Sequence, residues 1–164
     1  MSNTAPIKIA AFDLGSTAAI ACNCTIRAGK LKDSGAWYQH YGLEDKNATR
    51  PQRLAHFLIQ TNIYILRARP EVVVFERPFA RGQAATRALW GYAGILDALA
   101  INHNLIVTDF TPAEIKKWST GNGRASKDEM LVAAWRLGYE GDNEHEADAF
   151  LLLKFSEAGM KRSN

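Results

Sequence analysis

Two short apolar runs constrain this chain more than anything else in it. Ile7-Lys8-Ile9-Ala10-Ala11-Phe12-Asp13-Leu14 and Val72-Val73-Val74-Phe75-Glu76 are too short for independent helices and nearly continuous in apolar side chains. Such runs read as strands of a sheet covered on both faces. Each of them ends on or beside a carboxylate, Asp13 or Glu76. A third carboxylate, Asp148, sits in His145-Glu146-Ala147-Asp148-Ala149-Phe150-Leu151-Leu152-Leu153, on the side of a helix that should be buried. Ionised carboxylates beside apolar runs are costly to bury unless a cation or a partner compensates them. Several converging on one point make a site for hard divalent metals, which prefer oxygen ligands. The pattern therefore points to metal-dependent phosphoryl chemistry.

The remaining elements give these residues a frame. Residues 7–14 and 18–26, joined by the turn Gly15-Ser16-Thr17, and a third strand near 31–41 weakened by Gly35, form a hairpin-like meander. A helix is expected from about 50 to 67, with Thr49 as its cap, Pro51 in its first turn and Pro70 beyond its end. A strand follows over 71–76, then a helix over 83–102 and a strand over 105–109. Thr111-Pro112-Ala113-Glu114 and Ser126-Lys127-Asp128-Glu129 both fit the capping box, in which the hydroxyl and the later Glu satisfy free amides. The last helix spans about 144–158, capped by Asn143, with Glu146 as the capping partner. The order βββαβαβαα implies an α/β fold: a mixed five-stranded sheet, a three-strand antiparallel meander plus two parallel strands, flanked by helices. The 164 residues suffice for one domain, 1–164.

Composition removes some classes of function. Hydrophobic content of 47% and charged content of 23% are ordinary for a soluble protein, and no apolar run approaches the roughly 20 residues that span a bilayer. No secretory signal is evident near Met1, and Cys22 and Cys24 read as plain reduced, buried thiols. A cytoplasmic protein with no membrane partner is expected. The net charge of +3 decides little, but its distribution matters. From Arg77 to Lys127 seven bases face three acids, a balance of +4, whereas residues 140–148 hold five acids and no Lys or Arg. A basic middle beside an acidic end suits a polyanion held near a metal; two solvated surfaces are the plainer alternative.

Singly, each residue has an ordinary explanation. Asp13 can serve a turn, Glu76 can pair with Arg77 or Arg81, His145 can cap its helix, and Lys127 can be a first-turn residue. Jointly, Asp13, Glu76, His145 and Asp148 would hold two Mg²⁺ (or Mn²⁺) ions about 4 Å apart, one activating water and one stabilising the leaving oxygen. Asp13, on the central strand, is the natural bridging ligand; His145 is either a ligand or the group that orients or deprotonates the attacking water. Lys127, at a helix start after Gly121-Asn122-Gly123, suits a phosphate.

Four blocks in order then resemble the RuvC family of Holliday junction resolvases, in the RNase H-like superfamily. They are Phe12-Asp13-Leu14-Gly15-Ser16; Phe75-Glu76-Arg77-Pro78-Phe79; Lys116-Lys117 with Gly121-Asn122-Gly123-Arg124-Ala125-Ser126-Lys127; and His145-Glu146-Ala147-Asp148-Ala149. The resemblance covers nearly the whole chain. It implies an RNase H-like fold and a homodimer, of bacterial or phage type, that cuts two opposed strands of a four-way DNA junction with Mg²⁺ or Mn²⁺, leaving a 5′-phosphate and a 3′-hydroxyl. Asp13, Glu76, His145 and Asp148 would then be catalytic and metal-binding. Lys116 or Lys117, together with Lys127, would contact scissile phosphates, with both lysines, Arg81 and Arg124 in the DNA-binding set, and Phe79 would stack on or wedge against bases near the crossover. The helix carrying Leu89, Trp90, Ala93 and Leu96 is either the dimer interface or packed on the sheet. Leu14 and Ser16 stand where the family commonly has a Pro, and Arg77-Pro78 stiffens the approach to Phe79, so no cleavage-sequence preference follows; nor does a branch-migration motor. Two rivals remain: a nuclease of the same fold acting on flaps, other branched DNA or RNA–DNA hybrids, and an actin-like or sugar-kinase-like ATPase lobe, which Asp13-Leu14-Gly15-Ser16-Thr17 also resembles.

Overall fold

The sheet is built around the two apolar runs. The computed structural model describes residues 5–24, 35–79 and 82–160. Its elements are β1 (Ile9–Asp13), β2 (Ala19–Cys22), β3 (Trp37–His40), α1 (Arg50–Ala68), β4 (Val72–Glu76), α2 (Gln83–Asn102), β5 (Ile106–Phe110), α3 (Pro112–Thr120), α4 (Lys127–Arg136) and α5 (Glu144–Gly159). The strand order is β3-β2-β1-β4-β5. β1, β2 and β3 pair antiparallel as a meander, while β1–β4 and β4–β5 are parallel. The expected mixed sheet is thus present, with one more helix after the last strand than the order βββαβαβαα allows. Both capping boxes start helices of their own, α3 and α4, ahead of α5.

Strand alternation sorts the core into two layers. Ile9, Ala11, Val72 and Val74 face α3, α4 and α5, where they meet Phe150, Leu152 and Leu153. Ala10, Phe12, Val73 and Phe75 face α1 and α2, where they meet Phe57, Tyr64 and Leu96. Phe12 and Phe150 are fully enclosed, and truncating either to Ala should cost about 3–5 kcal/mol. Successive strand side chains point to opposite faces. Asp13 therefore continues the row of Ile9 and Ala11, and Glu76 the row of Val72 and Val74. Both carboxylates leave the sheet on the α5 side.

Local signals explain most boundaries. Thr111 Oγ1 accepts from the amide of Glu114, whose carboxylate accepts from the amide of Thr111; Ser126 and Glu129 repeat the arrangement. Arg69 ends α1 in the left-handed region, just before Pro70. Among the described residues the third strand runs from Trp37 to His40, two residues after Gly35 at φ +72. The expected 18–26 and 31–41 strands also run into residues 25–34, outside the described residues. Cys22 and Cys24 are free and buried on the α1/α2 side. Of the residues considered for a dimer interface, Ala93 and Leu96 are wholly buried against the sheet, while Trp90 is exposed. The packing alternative therefore holds for those two. Among the described residues no helix is long and apolar enough to cross a membrane.

Candidate active site

Strand register sets the site. Phe12 is paired with Phe75 on adjacent parallel strands, so Asp13 and Glu76 occupy matching positions one residue on. α5 packs across β1 and β2 on the same side and brings His145 and Asp148, three residues apart and hence on one helix face. Its start is fixed by Asn143, whose Oδ1 accepts from the amides of His145 and Glu146.

The contacts are specific. His145 Nδ1 lies 2.9 Å from Asp13 Oδ2, and His145 Nε2 lies 2.8 Å from Thr17 Oγ1. The imidazole is thus held at both nitrogens, between the end of β1 and the β1–β2 turn. That turn is backed by Gly42. A Cβ at this position would collide with the backbone of Ser16 and Thr17, so the absence of a side chain there lets the turn sit where Thr17 reaches His145. Sequence reasoning saw Thr17 as a turn residue and as the end of a phosphate-loop-like run, not as a partner of His145, and did not single out Gly42. The one available signal was a hydroxyl residue soon after a strand-ending Asp.

Electrostatics join the other two carboxylates to this pair. Burial, then the charges of Asp13 and Asp148, push Glu76 up to about 7, against the pull of Lys116. Burial, then Asp13, pushes Asp148 up to about 7, with His145 and Lys127 opposing. Burial likewise raises Asp13, against its hydrogen bond and charge interaction with His145. The Asp13 hydrogen bond raises His145, with burial opposing. Three carboxylates that resist ionisation together, one bonded to an imidazole, constitute a demand for positive charge.

Several residues sit otherwise than expected. Arg77 does not pair with Glu76: its guanidinium grips Asp109 at 2.6 and 2.8 Å. Arg81 lies outside the described residues. Glu146 is not a reciprocal cap. Its carboxylate leaves the helix start to accept from the backbone and ring of His40 and from the Tyr139 hydroxyl, tying α5 to β3. Lys127 Nζ pairs at 2.6 Å with Glu144 Oε2, above the acidic cluster. Lys116 acts on Glu76. Lys117 and Arg124 are exposed on α3 and the loop after it, and no contact joins them to the four site residues among the described residues. Phe79 is 79% exposed and, with Pro78 and Leu89, rims a cavity of about 60 Å³ floored by Asp13 and Glu76.

As they stand, no three His, Cys, Asp or Glu side chains among the described residues are drawn together tightly enough to hold an ion. Asp13 and His145 satisfy each other instead. The donor set nonetheless fits a hard divalent cation, with three carboxylates and one imidazole on one sheet face, each carboxylate raised by burial.

No family model matches the chain. Sequence relatives do. A crossover junction endodeoxyribonuclease RuvC of Anaeromyxobacter sp. (strain K) is 38% identical over 103 residues, 62% of this chain and 56% of the relative. The protein of the same name from Corynebacterium diphtheriae is 36% identical over 92 residues, 56% of each. Over these stretches the chain is similar to RuvC proteins. It spans about half the length of these relatives. Solved structures extend the RuvC-like architecture to nearly the whole chain. Thermus thermophilus RuvC in complex with Holliday junction substrate superposes with a TM-score of 0.71 at 21% identity, over 93% of this chain and 96% of that one. The yeast mitochondrial Holliday junction resolvase Ydc2 gives 0.60 at 15% identity, over 95% and 80%. At such identities these likenesses establish the fold, an RNase H-like sheet with its helices.

Proposed function

We propose that this chain is a metal-dependent endodeoxyribonuclease that resolves four-way DNA junctions by paired, symmetric nicks, acting in recombination and repair. The observation that carries the reading is the convergence of Asp13 and Glu76 at matching strand ends with His145 and Asp148 on the helix above them. The RuvC relatives and the junction-bound neighbour support the choice of substrate. Residues 1–164 act as one nuclease domain in this reading. The protein works as a homodimer whose two-fold symmetry matches that of the junction, in the cytoplasm of a bacterial cell or a phage-infected host.

Asp13, Glu76, Asp148 and His145 would hold Mg²⁺ or Mn²⁺, two ions per site; the bound ions supply an activated water and neutralise the departing oxygen. The chain's own residues do the rest. Asp13 and Glu76 are fixed by the sheet, so the distance between them does not depend on loop conformation. Thr17 holds the His145 ring from its far side, which leaves Nδ1 facing Asp13. Lys116 and Lys127 lie near enough to act on Glu76 and on Asp148 and meet the phosphates on either side of the cut, Lys127 by exchanging Glu144 for phosphate. Lys117, Arg81 and Arg124 extend the basic surface. Phe79, exposed at the mouth, stacks on or wedges against bases at the crossover.

The test uses a synthetic immobile four-way junction in Mg²⁺, with duplex, flap and RNA–DNA hybrid controls, comparing wild type with Asp13→Asn. Paired nicks in the junction alone, lost in the variant, are expected. Equal cutting of flaps or hybrids would reassign the substrate, and no cutting with tight ATP binding would favour an ATPase lobe.

A further inference from the structure

A groove far larger than the cavity over Asp13 and Glu76 adjoins it. The groove has a volume of about 730 Å³ and shares Leu14 and Leu89 with the smaller cavity, so the two are continuous. His145 and the first residues of α1, Arg50 and Arg53, are among its lining. One wall is the turn of residues 15–17; the other is the first turns of α2, where Ala84, Ala85 and Ala88 leave the floor flat. A channel lined by alanines of α2 and by the 15–17 turn suits an extended chain.

Its charge selects the kind of chain. Two arginines line it, Arg50 and Arg53, and no carboxylate does. Arg53 donates to the carbonyls of Leu43 and Asp45 at 2.9 and 2.7 Å and forms no ion pair among the described residues. Arg50 is exposed and makes no ion pair with any described residue. Of the other cations near the mouth, Lys127 is held by Glu144 and Arg77 by Asp109, while Lys116 acts on Glu76. The exposed Ser16 hydroxyl adds a donor of the kind that meets phosphate oxygens.

We propose that this groove holds the DNA strand on one side of the scissile phosphate, with Arg50 as its phosphate contact. The inference rests on the nuclease reading. It places a subsite on α1 and the β1–β2 turn, away from the basic α3–α4 block that the sequence singles out.

The test is binding of a fluorescent four-way junction in EDTA, where nothing is cut, followed by anisotropy from 50 to 200 mM salt. Arg50→Ala should weaken binding several-fold and lower the slope of log affinity against log salt by about one, the share of a single phosphate contact. Ala84→Trp, an exposed position that carries no charge, should weaken binding by filling the groove while leaving the slope unchanged. Thermal melts confirm that both variants fold. A photocrosslinker on Arg50→Cys should capture nucleotides on only one side of the mapped nick. Unchanged affinity and slope in Arg50→Ala, or crosslinks evenly on both sides, would sink the groove and leave the nuclease reading standing. Failure of wild type to bind the junction takes both down. A change in sedimentation mass caused by Ala84→Trp would make the groove a contact between copies and overturn the proposal.

Discussion

The Glu76→Gln substitution should stabilise the metal-free protein above neutral pH. Burial and the neighbouring carboxylates raise Glu76 from the ordinary 4.5 to about 7. The native state therefore keeps a proton through a pH range in which the unfolded chain has lost it. A raised carboxyl contributes its full stability below the unfolded value of 4.5, and that contribution disappears as pH rises to about 7. At about 1.4 kcal/mol for each tenfold, the ionised form costs up to about 3 kcal/mol at pH 8. Solvent reaches part of the side chain, and roughly half of that is a fairer expectation. For a chain of this size 1 kcal/mol moves Tm by about 2–4 °C, so the variant should melt about 3–6 °C higher than wild type at pH 8 in EDTA. Near pH 5 the gap should shrink. Asp148, also pushed up to about 7, keeps some slope in both proteins. The assay is a thermal melt at pH 5, 6, 7 and 8 in EDTA, repeated with Mg²⁺, which should raise the wild type more than the variant. A variant whose Tm runs parallel to wild type across this window, or lies below it at pH 8, would refute the reasoning that the site stores repulsion for a cation.

Other outcomes follow from the same geometry. Asp13→Asn and Asp148→Asn should abolish single-turnover cutting of a four-way junction while anisotropy still reports binding; full activity in either would remove that residue from the site. Gly42→Ala should cost about 1–3 kcal/mol, the usual range for overpacking, because its methyl meets the Ser16-Thr17 backbone. It should lower the rate of cutting more than the affinity for DNA, and Thr17→Val should reproduce the rate defect with little loss of Tm. Phe79→Ala removes a side chain that is 79% exposed, so its melt should match wild type within about 0.5 kcal/mol; cleavage should fall more than binding, and unchanged turnover would take the ring out of the mechanism.

The strands and their carboxylates were legible because burial leaves a continuous signature. Val72 to Phe75 and Ile9 to Phe12 have no polar alternation, and two-residue periodicity then fixes the face on which Asp13 and Glu76 emerge. The caps at Thr111, Ser126 and Asn143 were legible because they are local hydrogen-bond patterns. Contacts between distant segments were not. Thr17 and His145 are 128 positions apart, and nothing in a turn of Gly, Ser and Thr names the ring it will meet. Glu146 was misassigned for the same reason: a cap partner and a carboxylate reaching His40 and Tyr139 look alike until β3 is in place. Arg50 was hidden by its role as a helix-start residue, and Ala93 and Leu96 by the fact that one apolar helix stripe serves a sheet or a second copy equally well.

The position of α5 in the chain has a consequence for synthesis. Every strand, and with them Asp13 and Glu76, precedes it, yet His145 and Asp148 arrive only with this helix, as does the cover for Ile9, Ala11, Val72 and Val74. A ribosome therefore completes the sheet while the site has only two of its four side chains. During that interval the nascent chain displays two carboxylates beside an apolar face that α5 has yet to cover. Under the proposed nuclease reading, cutting and burial of that face are acquired in the same step, and a chain that stalls before residue 143 lacks His145 and Asp148.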